Sequence, residues 1–422
     1  MAAQLPTRAA VEAVWRIEAP RLLGGLMRLV RDVDLAEDLA QEALVAALER
    51  WPSTGVPDNP GAWLMTTARN RAIDDGRRRQ RQRQKHADLG ELTPTATAPD
   101  PTAPDDAVGD DVLRLILIAC HPILSREARV VLTLRLIAGL TTAEIARAML
   151  ASEPTIAQRI VRAKRALRAA QVPFEVPAGD ELRDRIAPAL EVVYLLFNEG
   201  YAATAGDAWL RTELCEEAQR LGRILIGLVP DDAEAHGLLA LMELQASRAR
   251  ARVAADGSAV RLLEQDRARW DQRLIGCGLE RLTRAAALGR PLGPYTLQAA
   301  IAACHARARR AEDTDWDEIV ALYDVLLEGT RSPVVALNRA VAVAMAQGPA
   351  VALELVDALA DDGVLAGYHL LPATRGDLLE RLGRRAEAQA AFEAAAELTA
   401  NRREQALLRA RAAACAPRPP PA

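Results

Sequence analysis

The chain lacks the marks of a secreted, membrane or cofactor-bearing protein. Its 422 residues hold no run of about 18 apolar residues. The first thirty, broken by Glu12, Glu18 and several arginines, hold no continuous apolar stretch of the kind a secretory leader needs. A cytoplasmic protein is expected. Five cysteines (Cys120, Cys215, Cys277, Cys304, Cys415), odd in number and scattered, argue against a disulfide framework and for reduced thiols. The five histidines (His86, His121, His236, His305, His369) show no metal-ligand spacing. Gly276-Cys277-Gly278 lacks the third glycine and the preceding strand of a dinucleotide site. No metal, cofactor or catalytic residue is expected, and the chain is not read as an enzyme. Aromatic residues are 3% of the chain and no sustained Val/Ile/Thr alternation occurs, which argues against a β fold. Lysine occurs only at 85 and 164, so arginine carries nearly all the positive charge.

What remains is rich in Ala, Leu, Arg and Glu, the residues that helices favour, and an all-α fold follows. Its most informative stretch is 140–165. Thr141 or Thr142 can cap a first helix with Ile145, Ala146 and Met149 on its buried stripe. Ser152 is an N-cap for a second helix, Pro154 sits in its first turn, and Ile156, Ile160, Ala163 and Leu167 form its core stripe. The opposite face carries Thr155, Gln158, Arg159, Arg162 and Arg165, residue types that reach bases and phosphates from a helix lying in the major groove. Taken alone, this stretch fits a DNA-reading helix-turn-helix and equally an amphipathic helix with a solvated basic face.

Charge elsewhere favours the first. Between Arg69 and Lys85 stand eight basic residues against Asp74 and Asp75, continuing a helical pattern with Leu64, Ala68 and Ile73 inward. The overall net charge of −4 hides an asymmetry: residues 1–172 hold 24 basic and 21 acidic residues, and the remainder is net −7. The acidic remainder is not expected to touch DNA directly.

The Pro- and Thr-rich stretch 93–109 reads as a flexible tether. Organisation is therefore expected as 1–92, the tether 93–109, 110–172, and an acidic helical part from 180 to 422. In that last part Gly376, Gly383, Ala388, Phe392 and Ala395 follow the small/large pattern of a tetratricopeptide repeat, with a degenerate copy over Ala340–Leu359. A generic helical bundle is the alternative. Tyr194–Tyr201 concentrates aromatic anchors that read as core packing, with a ligand or partner pocket as the second reading.

Two small helical modules joined by a Pro-rich tether, each with a basic element, resemble regions 2 and 4 of the extracytoplasmic-function (ECF) type of sigma-70 family RNA polymerase sigma factor. The segment Asp34–Trp51 resembles the acidic helix that docks on core RNA polymerase, which implies that role for Asp34, Glu37, Asp38, Gln41 and Glu42. Pro60–Asp74 and the arginines after it resemble the element that melts and reads the −10 promoter DNA, implying Trp63, Asn70, Arg71, Asp74, Arg77, Arg78 and Arg79. The helix over 153–168 then takes the −35 element through Thr155, Gln158, Arg159, Arg162 and Arg165. Most family members carry glycine at the helix-turn-helix bend; here Leu150 or Ala151 stands there, so the turn must avoid a positive φ or be strained. The long C-terminal part resembles a subgroup with a helical-repeat extension. The resemblance implies an alternative sigma factor whose extension modulates activity and receives a protein or peptide partner. A helix-turn-helix regulator with a repeat-type sensor domain is the alternative, but it gives the acidic 34–51 helix no role; a repeat scaffold with incidental basic segments is a third, favoured if an isolated 1–172 fragment binds neither core polymerase nor DNA.

Overall fold

The structure is a computed structural model and describes residues 8–87, 111–149, 151–201, 212–254, 260–399 and 401–416. Among these residues it is built of helices, with no β-strand. Contacts divide the chain into two compact units, Met1–Val192 and Val193–Ala422.

The first unit opens with three helices, α1 (Arg8–Val30), α2 (Val33–Thr54) and α3 (Pro60–Ala87), each packed on the other two. Asp32 starts α2 by accepting the Leu35 N–H at 3.1 Å. Gly55 ends it, with a φ of 85° open to glycine and its N–H on the Trp51 carbonyl. Asn59 caps α3 through the Ala62 N–H at 3.0 Å. Leu22, Leu26, Leu39, Ala43, Trp51, Leu64 and Ala68 fill the centre.

Four helices follow: α4 (Asp111–Ala119), α5 (Arg126–Leu136), α6 (Thr142–Ala148) and α7 (Glu153–Ala169). The sequence between Leu140 and Leu167 folds as its signals require. Thr141 and Glu144 form a reciprocal capping box, Thr141 N–H to Glu144 Oε2 at 2.7 Å and Glu144 N–H to Thr141 Oγ1 at 3.2 Å. Ser152 caps α7 through the Thr155 N–H, with Pro154 in its first turn. Leu150 lies outside the described residues. Ala151 takes no positive φ, and its N–H reaches the Ala146 carbonyl at 2.9 Å, so the bend closes at Ala151 without left-handed backbone.

These four helices do not stand apart from the first three. Gly24 of α1 lies so close to α4 that a Cβ there would come within 2.8 Å of the Asp111 carbonyl carbon. The start of α8 (Gly179–Tyr201) joins the same unit. Arg185, only 1% exposed, donates to the Leu117 carbonyl of α4 at 3.2 Å and pairs with Glu181, and Glu191 pairs with Arg126 at 2.6 Å.

The second unit holds the end of α8 and then α9 (Thr212–Leu228), α10 (Ala233–Ala246), α11 (Gln272–Ala287), α12 (Pro294–Arg307), α13 (Trp316–Thr330), α14 (Pro333–Ala346), α15 (Pro349–Asp361), α16 (Leu370–Arg381), α17 (Arg385–Leu398) and α18 (Arg402–Cys415). From α9 onward each packs on its successor. Small residues set the approach distances: a Cβ at Gly376 would meet the Phe392 ring at 2.6 Å, and Ala388, Phe392 and Ala395 are fully buried. The small/large pattern read from the sequence thus falls on the facing surfaces of α16 and α17. The stretch Ala340–Leu359 likewise folds as a helix pair, α14 and α15, with Ala352 and Val356 buried. Just before α11, Arg267 donates to the carbonyls of His305 and Ala308 at the end of α12, both at 2.8 Å, and to Thr314 Oγ1 at 2.9 Å.

Candidate nucleic-acid and polymerase interface

Three surfaces of the first unit carry the residues singled out in the sequence. On α2, Asp34, Asp38 and Gln41 follow an i, i+4, i+7 line, with Glu37 and Glu42 beside it. Asp38, Gln41 and Glu42 are exposed, whereas Asp34 and Glu37 are half-buried. The difference has a cause on α7. Lys164 pairs with Glu37, and its Nζ lies 3.2 Å from Asp34 Oδ1. Arg168 reaches Asp34 at 2.5 Å and Asp32 at 2.7 Å, and Arg135 of α5 lies 3.5 Å from Glu37. Burial alone would push the Asp32 carboxyl up, but Arg168 and the N–H groups of Leu35 and Asp34 outweigh it and hold it below the usual carboxylate range.

On α3, Leu64 and Ala68 face the core and Ile73 is half-buried. Trp63 is half-buried and meets Trp51 edge-on, centroids 5.3 Å apart, so it anchors α3 to α2. Asn70, Asp74 and Arg77 are exposed, and Arg71 turns back to Glu42 at 2.9 Å. Arg78 and Arg79 belong to α3, but their side chains lie outside the described residues.

On α7, Ile156, Ile160, Ala163 and Leu167 are buried against α5 and α6. Thr155, Gln158, Arg162 and Arg165 are exposed and Arg159 is half-buried. One helix therefore presents two cationic faces: one open, with the residue types that read base edges, and one, Lys164 and Arg168, turned to α2. The sequence reading missed the second face. Its only signal was the four-residue spacing of Lys164 and Arg168 beside the core stripe, which places both on one flank without naming what they meet.

The comparisons with known proteins agree with this layout. Residues 15–82 match the family described as Sigma-70 region 2, residues 114–167 that described as Sigma-70, region 4, and residues 185–286 a family of unknown function, DUF6596. An uncharacterized protein of Rhizobium meliloti is 43% identical over 392 residues, 92% of each chain. The ECF RNA polymerase sigma factor SigL of Mycobacterium tuberculosis is 34% identical over 144 residues, which are 34% of this chain and 77% of that protein. SigK of Mycobacterium bovis is 32% identical over 152 residues, 35% of this chain and 78% of that protein. The chain belongs to the ECF sigma factors.

As an alternative sigma factor it binds core RNA polymerase and promoter DNA and directs transcription initiation; it is a regulator and not an enzyme. The region 2 match covers most of α1 to α3, and the region 4 match runs from α4 through most of α7. The helix-turn-helix of this sigma factor is α6 and α7. Its C-terminal extension is helical and begins in the match of unknown function. No described helix is long and apolar enough to cross a membrane.

Proposed function

We propose that this sigma factor docks on core polymerase through the acidic face of α2, with Asp34, Glu37, Asp38, Gln41 and Glu42 meeting a basic surface. The −10 element is opened and held along α3 by Asn70, Arg71, Asp74, Arg77, Arg78 and Arg79, a cationic track of the kind that grips a single strand, with Trp63 bracing the helix from beneath. The −35 element is read in the major groove by Gln158, Arg159 and Arg162, with Thr155 and Arg165 on phosphates. The observation that carries this reading is α7 itself: an apolar stripe fully engaged by α5 and α6, and an opposite face of Gln and Arg left open. The working divisions are 1–92, a tether over 93–109, 110–172, and a tetratricopeptide-like extension over 180–422. That extension modulates promoter output by receiving a protein or peptide partner in the cytoplasm, where polymerase and DNA are. In vitro transcription with core polymerase on DNA from upstream of its own gene tests the reading. Promoter-specific transcripts that vanish with Gln158→Ala and Arg162→Ala together support it; transcripts indifferent to both exclude α7 as the reader.

A further inference from the structure

We propose that the extension carries a cationic, tyrosine-lined face, built around Arg248 and Arg252, that takes an acidic segment of a partner protein. The proposal rests on the reading of the extension as a partner-receiving domain and deepens it by naming the chemistry of what is received. Every tyrosine of the chain lies in the second unit: Tyr194 and Tyr201 on α8, Tyr295 on α12, Tyr323 on α13 and Tyr368 just before α16. They converge. Tyr194 meets the Tyr295 ring with centroids 5.3 Å apart and donates to Gln298 Oε1 at 3.1 Å. Burial, and after it the nearby Tyr194, pushes the Tyr323 hydroxyl up to about 12; burial, Glu404 and Tyr194 push that of Tyr368 up as well. Tyr201 joins through Arg248, whose guanidinium lies 6.0 Å from its ring centroid and 5.9 Å from that of Trp270. Arg252 sits over Tyr201 at 3.8 Å and Arg267 over Trp270 at 5.1 Å, so three guanidiniums alternate with two rings.

The rings hold these cations in place but accept none of their N–H groups along a lone pair. Arg248 makes no hydrogen bond or ion pair among the described residues. Arg252 donates to the Tyr201 carbonyl, and Arg267 to two carbonyls and a hydroxyl. No carboxylate among the described residues pairs with any of the three. Burial pushes the guanidiniums of Arg252 and Arg267 below their usual range, and the charge of Arg248 acts in the same direction. Beneath them Arg267 Nε and Trp270 Nε1, on side chains 7% and 4% exposed, find no acceptor among the described residues. A face rich in donors, positively charged and without a carboxylate recognises oxyanions. Arg248, Arg252 and all five tyrosines are half-buried, so the face is open and is not the enclosed cavity that a small molecule needs. An acidic segment can lay successive carboxylates across it, while the net charge of −7 over 173–422 disfavours that segment elsewhere on the extension.

The test uses the full chain grown with meta-fluorotyrosine. Because every tyrosine belongs to this face, fluorine NMR reports on it alone, whatever the basic surfaces of the first unit bind. The probe is hexaglutamate, with hexalysine and inorganic phosphate beside it. Hexaglutamate is expected to shift the signals saturably in the parent, to bind at least about tenfold more weakly to Arg248→Glu, and hexalysine to shift nothing. Arg248→Gln, which removes the charge without reversing it, carries the comparison if Arg248→Glu fails to fold. Signals that hexaglutamate leaves unmoved, or moves equally in parent and variant, overturn the proposal. Saturation by inorganic phosphate at the same concentration also overturns it, since the site then takes a single anion and no peptide. Transcription from the target promoter separates the two readings. Hexaglutamate binding with promoter output indifferent to Arg248→Glu keeps the acidic-segment site and removes the regulatory role; altered output without hexaglutamate binding keeps the regulatory role and removes the acidic segment.

Discussion

The Arg71 guanidinium holds the Glu42 carboxylate at 2.9 Å, tying the helix assigned to the −10 DNA to the helix assigned to polymerase. Both side chains are substantially exposed, so the pair stabilises the fold by less than about 1 kcal/mol. Glu42→Ala is therefore expected to leave the urea midpoint nearly unchanged while weakening core binding. Arg71→Ala should equally spare the fold and reduce open-complex formation on promoter DNA. A large loss of stability in either variant would make the pair structural and remove both residues from the interfaces.

Sequence preference at the −35 element should follow the open face of α7. Substituting Gln158, Arg159 or Arg162 is expected to relax preference at single positions, each costing about 1–3 kcal/mol against the best site, while Arg165→Ala weakens all sequences alike. A promoter-library selection distinguishes the two behaviours. Unaltered preferences for Arg159→Ala would leave Arg159 on phosphate or in packing.

How much of this was legible in the sequence depended on how far apart the interacting residues lie. The α6–α7 turn was legible because its signals are local: Thr141 and Glu144 three residues apart, Ser152 at the cap, Ile156 to Leu167 on one stripe. The helical face of α2 was legible for the same reason. That Lys164 would meet Glu37 was not, because ion pairing across 127 residues has no periodic trace. The knot at Arg267 was equally invisible, since two of its three acceptors are backbone carbonyls, which carry no residue-type signal. In the C-terminal extension α16 and α17 announced their contact through Gly376 and Phe392, and α14 and α15 more faintly through the degenerate copy. The sequence also placed a boundary near residue 172, whereas Arg185 and Glu191 tie the start of α8 to α4 and α5.

Stability should depend on pH through His305. Burial, with Arg248 and Arg267 nearby, pushes its imidazole down from 6.5 to about 3. The folded protein therefore holds the ring neutral at pH values where the unfolded chain has already protonated it. This contribution is fully present above the unfolded pKa and is lost as pH falls from about 6.5 toward 3, reaching about 3 kcal/mol near pH 4. Urea unfolding followed across that range should show His305→Gln with a flatter pH profile than the parent, even if its stability near neutrality is lower. Parallel profiles would mean that the ring titrates normally in the fold.

Arg185 is buried and donates to the Leu117 carbonyl, and Glu191 pairs with Arg126, so a chain ending near residue 177 loses contacts that belong to the first unit. Ending at Val192 keeps them. The 1–192 form is therefore expected to bind core polymerase like the full chain, and a form ending at 177 to be less stable, by about 1–3 kcal/mol for the lost buried hydrogen bond of Arg185. If the extension modulates initiation, transcription from the target promoter will differ between 1–192 and the full chain while core affinity does not. Equal promoter output from both would remove the regulatory role and leave α9 to α18 without a part in initiation.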